Sequence, residues 1–99
     1  MAKFDVYRLG EGSGFLLDCQ ADVLGDLNTR FVVPLLPEKE APKPATRLNP
    51  IFNVTGRRVV MVTQFAAAVA VRELGDPLGT LMGEQDAIGN ALDMLIVGF

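Results

Sequence analysis

The chain has no histidine, no tryptophan and a single cysteine, Cys19, in 99 residues. Each absence closes off a class of chemistry. One cysteine cannot form a disulfide within the chain. Without histidine, Cys/His zinc sites, Cys-His catalysis and Ser-His catalysis are excluded. Positive charge is scarce: nine Lys and Arg stand against twelve Asp and Glu, for a net charge of -3. Broad capture of nucleic acid by counterion release needs a cationic surface, so no direct nucleic-acid binding is expected; the adjacent Arg57 and Arg58 make only a local basic pair. No apolar run approaches the roughly 20 residues of a membrane-spanning helix, and none follows Lys3 as a leader would require. The expectation is no membrane, a reducing cytoplasm, and Cys19 as a small buried hydrophobe.

What is present is the composition of a folded chain, 49% hydrophobic and 21% charged, well away from the polar, highly charged balance of disorder. The length suits one domain over residues 1–99 with a small core, which a second copy would help to complete.

The first two thirds read as β structure. Residues 3–9 alternate and predict a half-buried strand, with Phe4, Val6 or Tyr7 contributing to the core. The glycines of residues 10–14 turn the chain, and residues 15–20 return as a second strand, giving a hairpin with a longer loop. Val23 and Leu24 follow in a polar loop, where anchoring onto the core is the commoner outcome and an exposed contact the alternative. Residues 30–36 form a strongly β-prone third strand, and Pro34, with no N–H to donate, predicts an edge position or a bulge. The charged, proline-rich residues 37–44 read as a solvated connection. Residues 50–64 predict a second hairpin whose last strand is apolar on both faces. Residues 65–71 stay open between helix, favoured by three alanines, and strand.

The end of the chain is the most informative stretch. A helical pattern starting near Thr80 or Gly83 sets Leu81, Ile88, Leu92 and Leu95 on one face. Ala87, Ala91 and Met94 make a second, smaller apolar stripe, wider than one sheet contact needs. Gly89 costs the helix about 1 kcal/mol relative to alanine, which suggests close approach of another backbone. The pattern then runs into Gly98-Phe99, and Phe99 is either tucked against the domain or presented to a partner.

With sheet first and helix last, the chain resembles the CcdB family, the toxins of plasmid-type toxin–antitoxin pairs. The resemblance rests on Phe4-Asp5-Val6-Tyr7, residues 18–24, Arg30-Phe31-Val32-Val33-Pro34-Leu35, Arg47-Leu48-Asn49-Pro50 and the close from Ile88-Gly89-Asn90-Ala91-Leu92 to Gly98-Phe99. It implies a mainly β fold with a C-terminal helix, a small SH3-like antiparallel β-barrel, and a homodimer with the Ala87, Ala91 and Met94 stripe at its interface. It implies a protein that performs no chemistry, uses no cofactor, and traps the cleaved-DNA intermediate of DNA gyrase by binding its A subunit. The gyrase contacts carry over to Val97, Gly98 and Phe99, to Asp93 and Ile96 in the turn before, and to Val23 and Leu24. Val97 stands where the family typically has tryptophan, and Asp93 where it has an uncharged amide. A disordered segment of a cognate antitoxin would meet the first strand near Tyr7 and Arg8. Two alternatives stay open. One is a CcdB-like protein that no longer poisons gyrase. The other is a ribonuclease like the related MazF-like toxins, in which Asp22 or Asp26 would work with Arg30, Arg57 or Arg58.

Overall fold

The first hairpin forms as its sequence predicts, and the rest of the sheet is laid on it. The computed structural model describes residues 2–10 and 12–98. Seven strands, β1 (Asp5–Arg8), β2 (Phe15–Asp18), β3 (Thr29–Pro37), β4 (Ile51–Val54), β5 (Arg57–Met61), β6 (Ala67–Ala70) and β7 (Gly79–Thr80), make one antiparallel sheet. Its order is β4-β5-β3-β2-β1-β7, with β6 paired on β3. One α-helix, α1 (Gln85–Ile96), follows the last strand. This is the expected class, mainly antiparallel β with a C-terminal helix.

Register explains why the middle of the sheet is buried on both sides. Val6 lies opposite Leu17, and Leu17 opposite Val33. These residues share a face, and with Leu35, Val59, Met61 and Ile88 they build the main core. Tyr7, Asp18, Arg30 and Val32 fall on the opposite face by alternation, and all four are buried as well. The continuous burial of Val59, Val60, Met61 and Val62 fulfils the expectation of a strand covered on both faces. The β4–β5 turn is Thr55-Gly56, with φ of +50° and +81°. Both central residues of a type I′ turn need positive φ, and glycine takes it without steric cost.

Pro34 corrects the expectation of an edge or a bulge. It lies inside β3, the central strand, opposite Leu16 of β2. On its other side β3 pairs with β6 through residues 29–32 and with β5 through residues 35–37. In an extended strand the N–H and C=O of one residue point the same way. The Pro34 carbonyl accepts from the Val62 N–H, so the missing N–H falls where one ladder hands over to the other.

The ambiguous segment resolves as strand: β6 pairs Thr29 to Val32 of β3 with Ala70 to Ala67. Pairing against an open strand outweighs the helix propensity of the alanines. The connection before β4 is anchored by the buried Asn49, whose Nδ2 donates to the Met61 carbonyl and to Gln64 Oε1, and whose Oδ1 accepts from the Ala45 N–H.

The seating of α1 also departs from expectation. Its fully buried residues are Ile88 and Ala91, with Ala87 and Leu92 packed at the margin. Small side chains at 87 and 91 let the helix settle closely on the sheet. Leu95, two turns beyond Ile88 on the same face, is 41% exposed because the helix overruns the core.

Candidate functional site

Large apolar residues left in water concentrate at two places, the turn after β2 and the end of α1. In the turn, Val23 is 88%, Leu24 47% and Leu27 50% exposed. The expectation that Val23 and Leu24 anchor onto the core is therefore corrected. The reason is local. Residues Asp22–Leu24 wind into a 3-10 turn closed by Leu24 N–H to Ala21 O and Gly25 N–H to Asp22 O. Asp22 Oδ1 caps the Lys3 N–H. Below it, Gln20 Nε2 donates to the Leu24 carbonyl while Gln20 Oε1 accepts from the Phe31 N–H. Backbone and polar groups hold the turn, so its apolar side chains point away.

At the helix end, Ile96 is 72% and Val97 57% exposed, and Asp93 is exposed beside them. The Val97 and Gly98 N–H groups both close on the Asp93 carbonyl, and Gly98 takes φ +95°. That conformation favours glycine, so Gly98 fixes how the chain leaves the helix. Phe99 lies outside the described residues. Sequence reading missed Phe65, which is 52% exposed in the 3-10 turn Thr63–Phe65 against which α1 packs. From there β6 leads back to the first turn, where the Val71 N–H donates to the Asn28 carbonyl.

Buried polar groups lie behind the 22–24 turn. Asp18 and Arg30, 0% and 1% exposed, form an ion pair in which Arg30 Nε donates to Asp18 Oδ2 at 2.8 Å and Nη2 approaches the same oxygen at 2.7 Å. Asp18 Oδ1 accepts from the Gln20 N–H. Burial raises the Tyr7 phenol above its ordinary value, and the Asp5 and Asp18 carboxylates add to it. Burial, reinforced by Asp18, pushes the Cys19 thiol up to about 12, which makes it inert near neutrality. Among the described residues no three Cys, Asp or Glu gather as metal ligands.

Residues 3–98 match the family described as CcdB protein. The chain belongs to the CcdB family. The search of curated proteins found no match. Among solved structures, an endoribonuclease in complex with its cognate antitoxin, from a Mycobacterial species, is similar in fold. It is 16% identical, with a TM-score of 0.75 over 98% of this chain and 95% of that one.

Two groups of residues expected at surfaces of this CcdB-family chain are placed elsewhere. Tyr7 is fully buried, so of the pair expected near an antitoxin only Arg8 presents its side chain. Alternation in β1 sends Tyr7 to the covered second face. Ala91 is fully buried, and Ala87, half-buried, packs against the chain's own core, so of the expected dimer stripe only Ala87 and Met94 reach the surface, each in part. Within the single chain, a Cβ at Gly89 would meet nothing within 4 Å, so no other element of the chain's own fold packs closely there.

Proposed function

We propose that this CcdB-family protein is the toxin of a toxin–antitoxin module. In this reading it acts by non-catalytic binding to the DNA gyrase A subunit, trapping the cleaved-DNA intermediate, and a cognate antitoxin neutralises it. The observation that carries the reading is the exposure of Val23 and Ile96, at the positions where the family resemblance puts gyrase contacts. Neither stabilises the fold by burial. A small domain gains nothing from leaving such side chains in water, and exposed apolar patches mark partner sites. The protein would work as a homodimer that brings two helix ends to one face.

Calorimetric titration of the chain into the host gyrase A subunit tests this. Wild type should bind, and Val23→Asp and a chain ending at Ile96 should each lose at least about 30-fold, the scale of a 2 kcal/mol interface hot spot. Both should keep the wild-type circular dichroism spectrum. Equal affinities in all three would remove these residues from the interface.

Ribonuclease action is the second reading, favoured by the fold shared with an endoribonuclease. Of its proposed cations, only the exposed Arg57 has no ion pair among the described residues. Arg30 is buried and committed to Asp18, and Arg58 is engaged by Glu38. Cleavage of RNA by the purified protein in the presence of a chelator would reverse the ranking.

A further inference from the structure

The 22–24 turn exposes apolar side chains, yet it is tied to a chain of buried polar groups that runs from Arg30 through Asp18 and Gln20 to the turn. Arg30 Nε donates to Asp18 Oδ2. Asp18 Oδ1 takes the Gln20 N–H at 3.0 Å. The Gln20 side chain then spans two elements, with Oε1 on the Phe31 N–H and Nε2 on the Leu24 carbonyl, both at 3.0 Å. Gln20 is 8% exposed, and its residue neighbours Asp18 and Cys19 are buried too. A buried primary amide costs free energy unless its donors and acceptors are matched. Here the matching partners are a β3 amide on one side and the carbonyl at the centre of the exposed turn on the other.

Residues whose only task is to fill space beneath a loop are usually apolar, since such packing needs no geometry. An amide with fixed donor and acceptor directions sets where the Leu24 carbonyl sits, and with it the aim of Val23 and Leu24. The ion pair behind it sets the Gln20 backbone in turn. Arg30 is shut off from solvent, and Gly25 suits the turn itself: a Cβ there would crowd the Asp22 carbonyl at 3.2 Å while meeting Arg30 Nη1 only at an ordinary 4.0 Å.

We infer that Gln20, braced by Asp18 and Arg30, is a positioning residue that holds the Val23–Leu24 turn in the single shape a partner reads. The inference rests on the reading of that turn as a gyrase contact, and it adds the residue that governs its shape without touching the partner.

The test uses the full chain with Gln20→Glu and Gln20→Met. Glutamate keeps the acceptor for Phe31 and loses the donor to Leu24; methionine loses both and keeps the bulk. Two readouts are taken: hydrogen exchange at the Leu24, Gly25 and Leu27 amides, and affinity for the gyrase A subunit. Expected in both variants are faster exchange at those three amides and about tenfold weaker binding, the scale of one ordinary hydrogen bond, with exchange in β2 and β3 unchanged except at the Phe31 amide, which loses its acceptor in Gln20→Met. Val23→Asp should weaken binding with no change in exchange. Unchanged exchange in the turn would overturn the proposal. So would exchange raised throughout β2 and β3, which would make Gln20 a general fold residue, or a loosened turn with unaltered affinity. If wild type itself fails to bind gyrase A, the gyrase reading falls, and the exchange data alone still decide whether Gln20 shapes the turn.

Discussion

Asp18 and Arg30 lie fully buried side by side, and each is tolerable only because of the other. Taking either charge out of water alone costs several kcal/mol. Asp18→Ala should therefore lower the unfolding free energy by about 3–5 kcal/mol, because it strands the guanidinium. Urea unfolding measures this. Removing Glu38 from its pair with the well-exposed Arg58 should change stability by less than about 1 kcal/mol. Cys19 makes a prediction with a sign. Burial, with the Asp18 carboxylate beside it, pushes its thiol from an ordinary 9.0 up to about 12 in the folded chain. Between those values the unfolded chain has lost a proton that the folded chain keeps, so stability falls as pH rises, by at most about 1.4 kcal/mol per pH unit. Below pH 9 the group contributes its full share. Tyr7, also raised, adds a fall of the same sign above its ordinary value of 10.0. Urea midpoints at pH 8 and pH 10 should diverge in wild type and diverge less in Cys19→Ala. The inert character of Cys19 was legible from a lone cysteine in an apolar strand. Its aspartate partner's ion pair was not, since Asp18 and Arg30 are twelve residues apart and meet only through the β2–β3 register.

Helix α1 shows what periodicity can and cannot deliver. The pattern located the helix to within a few residues and named Ile88 as core. It could not say which flank of Ile88 turns inward, because Ala87 and Ala91 on one side and Leu92 on the other are all apolar. Close seating decides it: alanines fit beneath, and Leu95 overhangs. Since no neighbouring atom occupies the space above Gly89, Gly89→Ala should stabilise the chain by about 0.5–1 kcal/mol through helix propensity. Thermal unfolding at two protein concentrations checks this. A loss of stability that grows on dilution would instead mean that a second copy packs on Gly89. Pro34 and β6 were misjudged or left open for a shared reason. Both depend on which strand lies alongside β3, and that information comes from pairing across the chain rather than from local propensity.

For the molecule as a whole, the sheet carries stability and the loops and the helix end carry the surface that a partner would use. The order of elements was readable from turn residues, alternation and the closing helix. The exposure of Val23, Leu24 and Phe65 was not, because it depends on polar bonds that hold each turn off the core. Gyrase poisoning is the central claim, and Val97 in place of tryptophan bears on it most directly, since valine has no aromatic face to set against a cation. The measurement that tests the claim is trapping of cleaved DNA by the host gyrase with ATP present, comparing wild type, Val97→Trp and a chain ending at Ile96. The account predicts linearised DNA with wild type, more of it with Val97→Trp, and none with the truncated chain. No trapping by wild type, with or without the added tryptophan, would contradict it.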